Sequence, residues 1–118
     1  MSELRRVIEK YRTYWVNSNG NLHRVDGPAV EWTDGSKEWY LYGKRHRVDG
    51  PAVAWKNGIK EWFVNGKYHR VDGPAIEYRS GRKDWFINGE EFSSQEAWFN
   101  TLSKEQQIAY LFKMEGPK

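Results

Sequence analysis

The sequence contains no cysteine, which excludes a disulfide framework and thiol chemistry and suits a reducing compartment. It has no apolar run approaching the roughly 18 residues of a membrane span. Residues 1–11 are charged and carry no long apolar stretch of a secretory leader, so the chain reads as cytoplasmic. Aliphatic residues are scarce as well: hydrophobic residues make up 38% of 118, and mean hydropathy is −0.93. Charge of one sign is also missing. Net charge is +3, and residues 23–91 hold 12 basic against 11 acidic side chains. Residues 1–22 carry four basic against two acidic, and residues 92–118 carry three of each. A nucleic-acid-binding face normally needs a clear basic excess, so this distribution argues against one. What the chain does have is aromatics: seven Trp, seven Tyr and five Phe. Large rings with few aliphatics point to one thin, sheet-like domain with a shallow core.

The dominant pattern is a repeat. His-Arg-Val-Asp-Gly-Pro-Ala occurs at His23–Ala29, His46–Ala52 and His69–Ala75, each 23 residues after the last. A fixed period of this size marks stacked supersecondary units. Eleven of the 23 positions are identical in all three units: the block itself, Gly35/Gly58/Gly81, Lys37/Lys60/Lys83, Trp39/Trp62/Trp85 and Gly43/Gly66/Gly89. A partial unit precedes them, with Tyr14-Trp15-Val16 set against Trp62-Phe63-Val64 and two extra residues, Asn17 and Ser18. The spacing divides the domain into an N-terminal cap with the partial unit (1–22), three repeats (23–91) and a C-terminal cap (92–118).

Each unit reads as two strands, Ala29–Trp32 then Lys37–Tyr42 in the first, and their equivalents below. Thr33-Asp34-Gly35, Lys56-Asn57-Gly58 and Arg79-Ser80-Gly81 join them, and the Gly43 series ends the second strand. Asp-Gly-Pro makes the corner to the next unit. With a two-residue turn, alternation places Val30, Trp32, Trp39 and Leu41 on one face as core. Glu31, Glu38, Tyr40 and Tyr42 fall on the other, half-wet face. After residue 92 the period becomes helical. Ser93-Ser94-Gln95-Glu96 and Ser103-Lys104-Glu105-Gln106 read as capping boxes, for helices of about 94–101 and 104–114. Trp98/Leu102 and Ile108/Leu111/Phe112 would be their apolar stripes. Leu4, Val7, Ile8 and Tyr11 have helical spacing after Ser2, which predicts a short N-terminal helix. The fold class expected is mainly β with C-terminal α: one open antiparallel sheet of stacked hairpins, capped by two helices.

The unit of glycine corner, strand, x-x-Gly turn and aromatic strand, over about residues 14–91, resembles the MORN repeat. That repeat has the same length and is built of hairpins stacked edge to edge into a long curved sheet. The His-Arg-x-Asp-Gly-Pro-Ala form is similar to diverged MORN-like repeats of bacteriophage, large-virus and bacterial proteins. The resemblance implies an interaction or assembly surface, or in some members an acidic-lipid surface. For a phage protein it implies inhibition of a host factor.

No catalytic set, cofactor site or metal site is read from the residues. His23, His46 and His69 would lie ~10 Å apart at two strands per unit, too far to share a zinc whose ligands sit about 2 Å from it. The row Arg24, Arg47 and Arg70 could meet roughly every third phosphate of a nucleic-acid strand, but each arginine has an aspartate two residues on. The aromatics Tyr40, Tyr42, Phe63, Tyr68 and Phe86, with the acids Glu38, Glu61 and Asp84, compose an expected protein-binding face. Positions that vary between units, namely Tyr42/Asn65/Asn88, Arg45/Tyr68/Glu91 and Ser36/Ile59/Arg82, would give that face its specificity. The reading is a non-enzymatic protein-interaction module, with nucleic-acid and acidic-lipid binding as alternatives.

Overall fold

The computed structural model describes residues 4–116. Its strands are β1 (Arg5–Ile8), β2 (Arg12–Val16), β3 (Val30–Trp32), β4 (Lys37–Glu38), β5 (Tyr40–Leu41), β6 (Lys44–Arg45), β7 (Val53–Ala54), β8 (Lys60–Glu61), β9 (Phe63–Val64), β10 (Lys67–Tyr68), β11 (Ile76–Glu77), β12 (Lys83–Ile87) and β13 (Glu90–Phe92). Two helices follow, α1 (Gln95–Phe99) and α2 (Lys104–Glu115). Nine strands form one open sheet in the order β1-β2-β3-β4-β7-β8-β11-β12-β13, and β5-β6 and β9-β10 form two small antiparallel ladders beside it.

The side ladders exist because each second strand changes partner at its tryptophan. The Trp39 N–H donates to the Ala52 carbonyl of the next unit (2.6 Å), while the Trp39 carbonyl accepts from His46 N–H (3.1 Å). Trp62 does the same with Ala75 and His69. Ahead of the tryptophan the strand pairs with the following unit; beyond it, with its own returning strand. The expected strand Lys37–Tyr42 is therefore split. In the third unit no further unit follows, so β12 runs unbroken and its ladder extends to Trp85↔Phe92.

The face assignment is corrected by one residue. The turn after β3 spans three residues, not two: Trp32 N–H donates to the Ser36 carbonyl, Gly35 N–H returns to the Trp32 carbonyl, and Gly35 sits at φ 97°. This is the three-residue hairpin whose last residue is left-handed, which is why glycine recurs there. The register becomes Val30↔Glu38 and Val53↔Glu61, so the acid, not Trp39, shares a face with the valine. The same logic realigns the partial unit. Trp15 N–H donates to the Ala29 carbonyl and the Trp15 carbonyl accepts from His23, as at Trp39 and Trp62. Trp15 thus matches Trp62 rather than Phe63, and one extra residue, not two, lies before His23.

The N-terminal helix is not formed. Residues 5–16 make a hairpin, Arg5↔Val16 to Ile8↔Thr13, because the sheet edge at β3 offers β2 a ladder that an isolated short helix cannot match. Ser2, after which that helix is predicted, lies outside the described residues. In α1 the cap is Ser94, whose side chain accepts from Ala97 N–H, so the Ser93–Glu96 box is displaced by one. The Ser103–Gln106 box of α2 forms in both directions. Trp98 and Leu102 are buried with Tyr110, whereas Ile108, Leu111 and Phe112 are exposed: the sheet meets the Tyr110 side of α2.

Candidate functional site

The seven-residue block is built into the scaffold residue by residue. Tyr42, Asn65 and Asn88 open the second turn of each unit at φ of 50–53°. Their N–H groups donate to Nδ1 of His23, His46 and His69 at 2.9, 3.0 and 3.0 Å. Each histidine thereby holds the turn of its own unit, accepting through an unprotonated Nδ1. Burial lowers the His69 pKa below its ordinary 6.5. A depressed histidine binds its proton more readily in the unfolded chain, so its contribution is present above about pH 6.5 and is lost as pH falls through that value toward the folded one. We expect the His69 ring to titrate below 6.5 by NMR and the melting temperature to fall on acidification from pH 7 to 5. A His69 midpoint at or above 6.5 contradicts the assignment.

The arginines are held on three sides. Nε of Arg24, Arg47 and Arg70 donates to Asp26, Asp49 and Asp72 at 3.2, 3.0 and 2.7 Å. One terminal nitrogen of each donates to the carbonyl of Pro28, Pro51 or Pro74 at 3.0–3.1 Å. The guanidinium carbon then lies 3.9, 3.9 and 3.7 Å over the rings of Trp15, Trp39 and Trp62 of the preceding unit. The arginine row is a set of clips between units, with its charge answered by the aspartates. Burial opposes the charge of Asp72, but Arg70 and Lys113 hold its pKa below the usual carboxylate range.

The glycine of the block makes room for this clip. Gly73 has no left-handed backbone, yet a Cβ there would fall 2.6 Å from the guanidinium carbon of Arg70. Gly73→Ala is expected to cost about 1–3 kcal/mol by expelling the guanidinium from its ring and carbonyl. In an Arg70→Ala background the same change should be nearly neutral. A denaturant double-mutant cycle reads the coupling, and strictly additive losses refute it.

The expected binding face proves to be bonded to itself. Glu38, 5% exposed, accepts from Trp32 Nε1 (2.7 Å), the Tyr40 hydroxyl (3.1 Å) and Arg45 (3.0 Å). Glu61, 8% exposed, accepts from Trp55 Nε1 and the Tyr68 hydroxyl, both at 2.6 Å. Asp84 accepts from the Tyr78 hydroxyl at 2.8 Å and from Arg82 at 3.3 Å. Burial, and then the bond to Glu61, raises the Tyr68 pKa, so the phenol keeps its proton. Phe63 is buried against Ala52 and Val53 and stacks on Tyr68 at 4.2 Å; Phe86 is half-buried beyond Tyr68 at 4.9 Å. Of the candidate aromatics only Tyr42 is exposed, packed beside His23 at 4.3 Å. Among the variable positions, Ser36 is buried and its hydroxyl accepts from Lys56 N–H of the next turn. The one-residue slip explains the outcome: it turned the acids inward beneath the rings.

Residues the sequence reading passed over stand free instead. Val25 and Val48, the middle residues of the first two blocks, are 75% and 82% exposed. Between them lies a groove of about 210 Å³ floored by Trp39 and Leu41. The next groove, about 540 Å³, lies between Val48 and Val71 over Trp62 and Val64, with Lys113 of α2 at its edge. The only sequence signal for this strip was the invariant valine between the charged Arg and Asp of the block, an apolar residue with no partner inside its own corner.

Among the described residues no His, Asp or Glu cluster is arranged to hold a metal, and no helix is long and apolar enough to cross a membrane. No family model, curated protein or solved structure matches the chain.

Proposed function

We propose that the chain is a non-enzymatic protein-interaction module of MORN-like repeats that docks a partner along the valine strip. One observation carries the reading. The histidines and arginines of the repeated block, and the acids Glu38, Glu61 and Asp84, are engaged by other groups of the chain, whereas Val25 and Val48 stand exposed above a row of apolar floors. Repeated apolar teeth between self-neutralised ion pairs offer a protein partner a desolvatable surface with spaced anchors. The arrangement gives little to a nucleic acid, because every ladder guanidinium already has a carboxylate, a carbonyl and a ring.

The test is a Val25→Asp/Val48→Asp double variant. Both side chains project into solvent, so the melting temperature should move little. Affinity for the partner captured from lysate should fall by at least about 30-fold, the scale of a lost hot spot. Unchanged capture by the folded variant rules out the strip.

A further inference from the structure

On the reading that the valine strip is a docking face, we infer that its two open grooves accept an amphipathic helix of a partner protein. That helix carries leucine and aromatic side chains on one face and a lysine or arginine beside them. The chain itself supplies the precedent, because it fills the third of three equivalent positions with its own helices. Val71 and Ile87, counterparts of Val25/Val48 and Leu41/Val64, pack against Trp85, Trp98, Leu102 and Tyr110. Trp98 lies on Trp85 with ring centroids 4.6 Å apart, in the place that Arg24, Arg47 and Arg70 take on Trp15, Trp39 and Trp62.

The same cap grips the block by charge. Lys113 Nζ donates to the Asp72 carbonyl at 3.1 Å and lies 3.4 Å from its carboxylate. The equivalent Asp26 and Asp49 pair, among the described residues, only with the arginine of their own block, and their side chains are 86% and 81% exposed. A cation on an incoming helix would meet them as Lys113 meets Asp72. In the open grooves an arginine already covers each tryptophan. The ligand's apolar groups would therefore face Leu41, Val64 and the valine walls, a helix-in-groove mode.

The experiment titrates a peptide with the sequence of residues 94–114, lactam-bridged within the part that forms α2, into the full-length, methyl-labelled protein. Shifts at the methyls of Val25, Leu41, Val48 and Val64 are expected. Val48→Asp in the protein, or Lys113→Glu in the peptide, should each weaken the titration at least about tenfold. No shifts at millimolar peptide, or shifts elsewhere on the sheet, would overturn the inference. So would shifts confined to Val71 and Ile87, which signal exchange with the chain's own cap. Self-association of the protein alone, abolished by Val48→Asp, would assign the grooves to a second copy and overturn the partner helix. If the peptide fails while the double aspartate variant still loses its captured partner, the docking face stands and the helix alone is refuted.

Discussion

Trp98→Ala is expected to remove about 3–5 kcal/mol of stability, the range for truncating a buried large aromatic. The side chain is fully buried. It packs tilted against Trp85, meets Tyr110 edge-on at 5.1 Å, and donates from Nε1 to the Arg70 carbonyl at 2.9 Å. The substitution opens a cavity, strips the end of the sheet and leaves that carbonyl without its donor. Repeat arrays depend on such end caps, because the last unit has no neighbour to cover its apolar face. Small domains hold only about 5–15 kcal/mol in total, so the loss is a large share of the whole. Chemical denaturation of the variant is the check. A loss below about 1 kcal/mol would show that the helices merely lie on the array. Trp98→Phe should fall between, since it keeps most of the ring packing and loses the indole N–H.

Glu61→Ala should cost about 2–4 kcal/mol for a different reason. Nothing large is lost from the core. Two donors, Trp55 Nε1 and the Tyr68 hydroxyl, lose the carboxylate that both reach at 2.6 Å, in a region where water is largely excluded. Hydrogen bonds to a charged group are worth more than neutral ones, and an orphaned buried donor costs its desolvation. Glu61→Gln makes the argument specific. An amide keeps one acceptor oxygen and turns the other position into a donor, so about half of the loss should return. Equal destabilisation by Gln and Ala would mean that charge alone matters; no destabilisation by either would mean that the rings hold themselves. Denaturation midpoints of the three proteins separate these outcomes.

These two sites show what the sequence could convey. The need for a C-terminal aromatic cap was legible, since Trp98 and Leu102 follow a serine cap and an open sheet has a bare end. That Trp98 takes the place of the block arginine was not, because the likeness lies in position over Trp85 and not in residue type. The tyrosines and acids were visible as a set. Their direction depended on one residue in the turn at Asp34-Gly35, and a one-residue slip sends every side chain to the other face. The N-terminal hairpin was missed because residues 4–11 have helical spacing, while β3 presents a strand edge that only the folded array provides.

The amino-acid sequence by itself determined the period, the hairpin within each unit, the corner between units and the helical C-terminal cap. All of these rest on residues close together along the chain: glycines in turns, proline at corners, serines at helix starts. The tertiary structure alone decided which face is buried, where each second strand changes partner, and that Val25 and Val48 stand exposed while Val71 does not. The first turns on the length of one hairpin loop, and the others on groups well separated along the chain, as Trp39 and Ala52 or Arg70 and Trp98 are, that meet only when the units stack. A local pattern specifies a turn; only the neighbour laid against it specifies what remains uncovered.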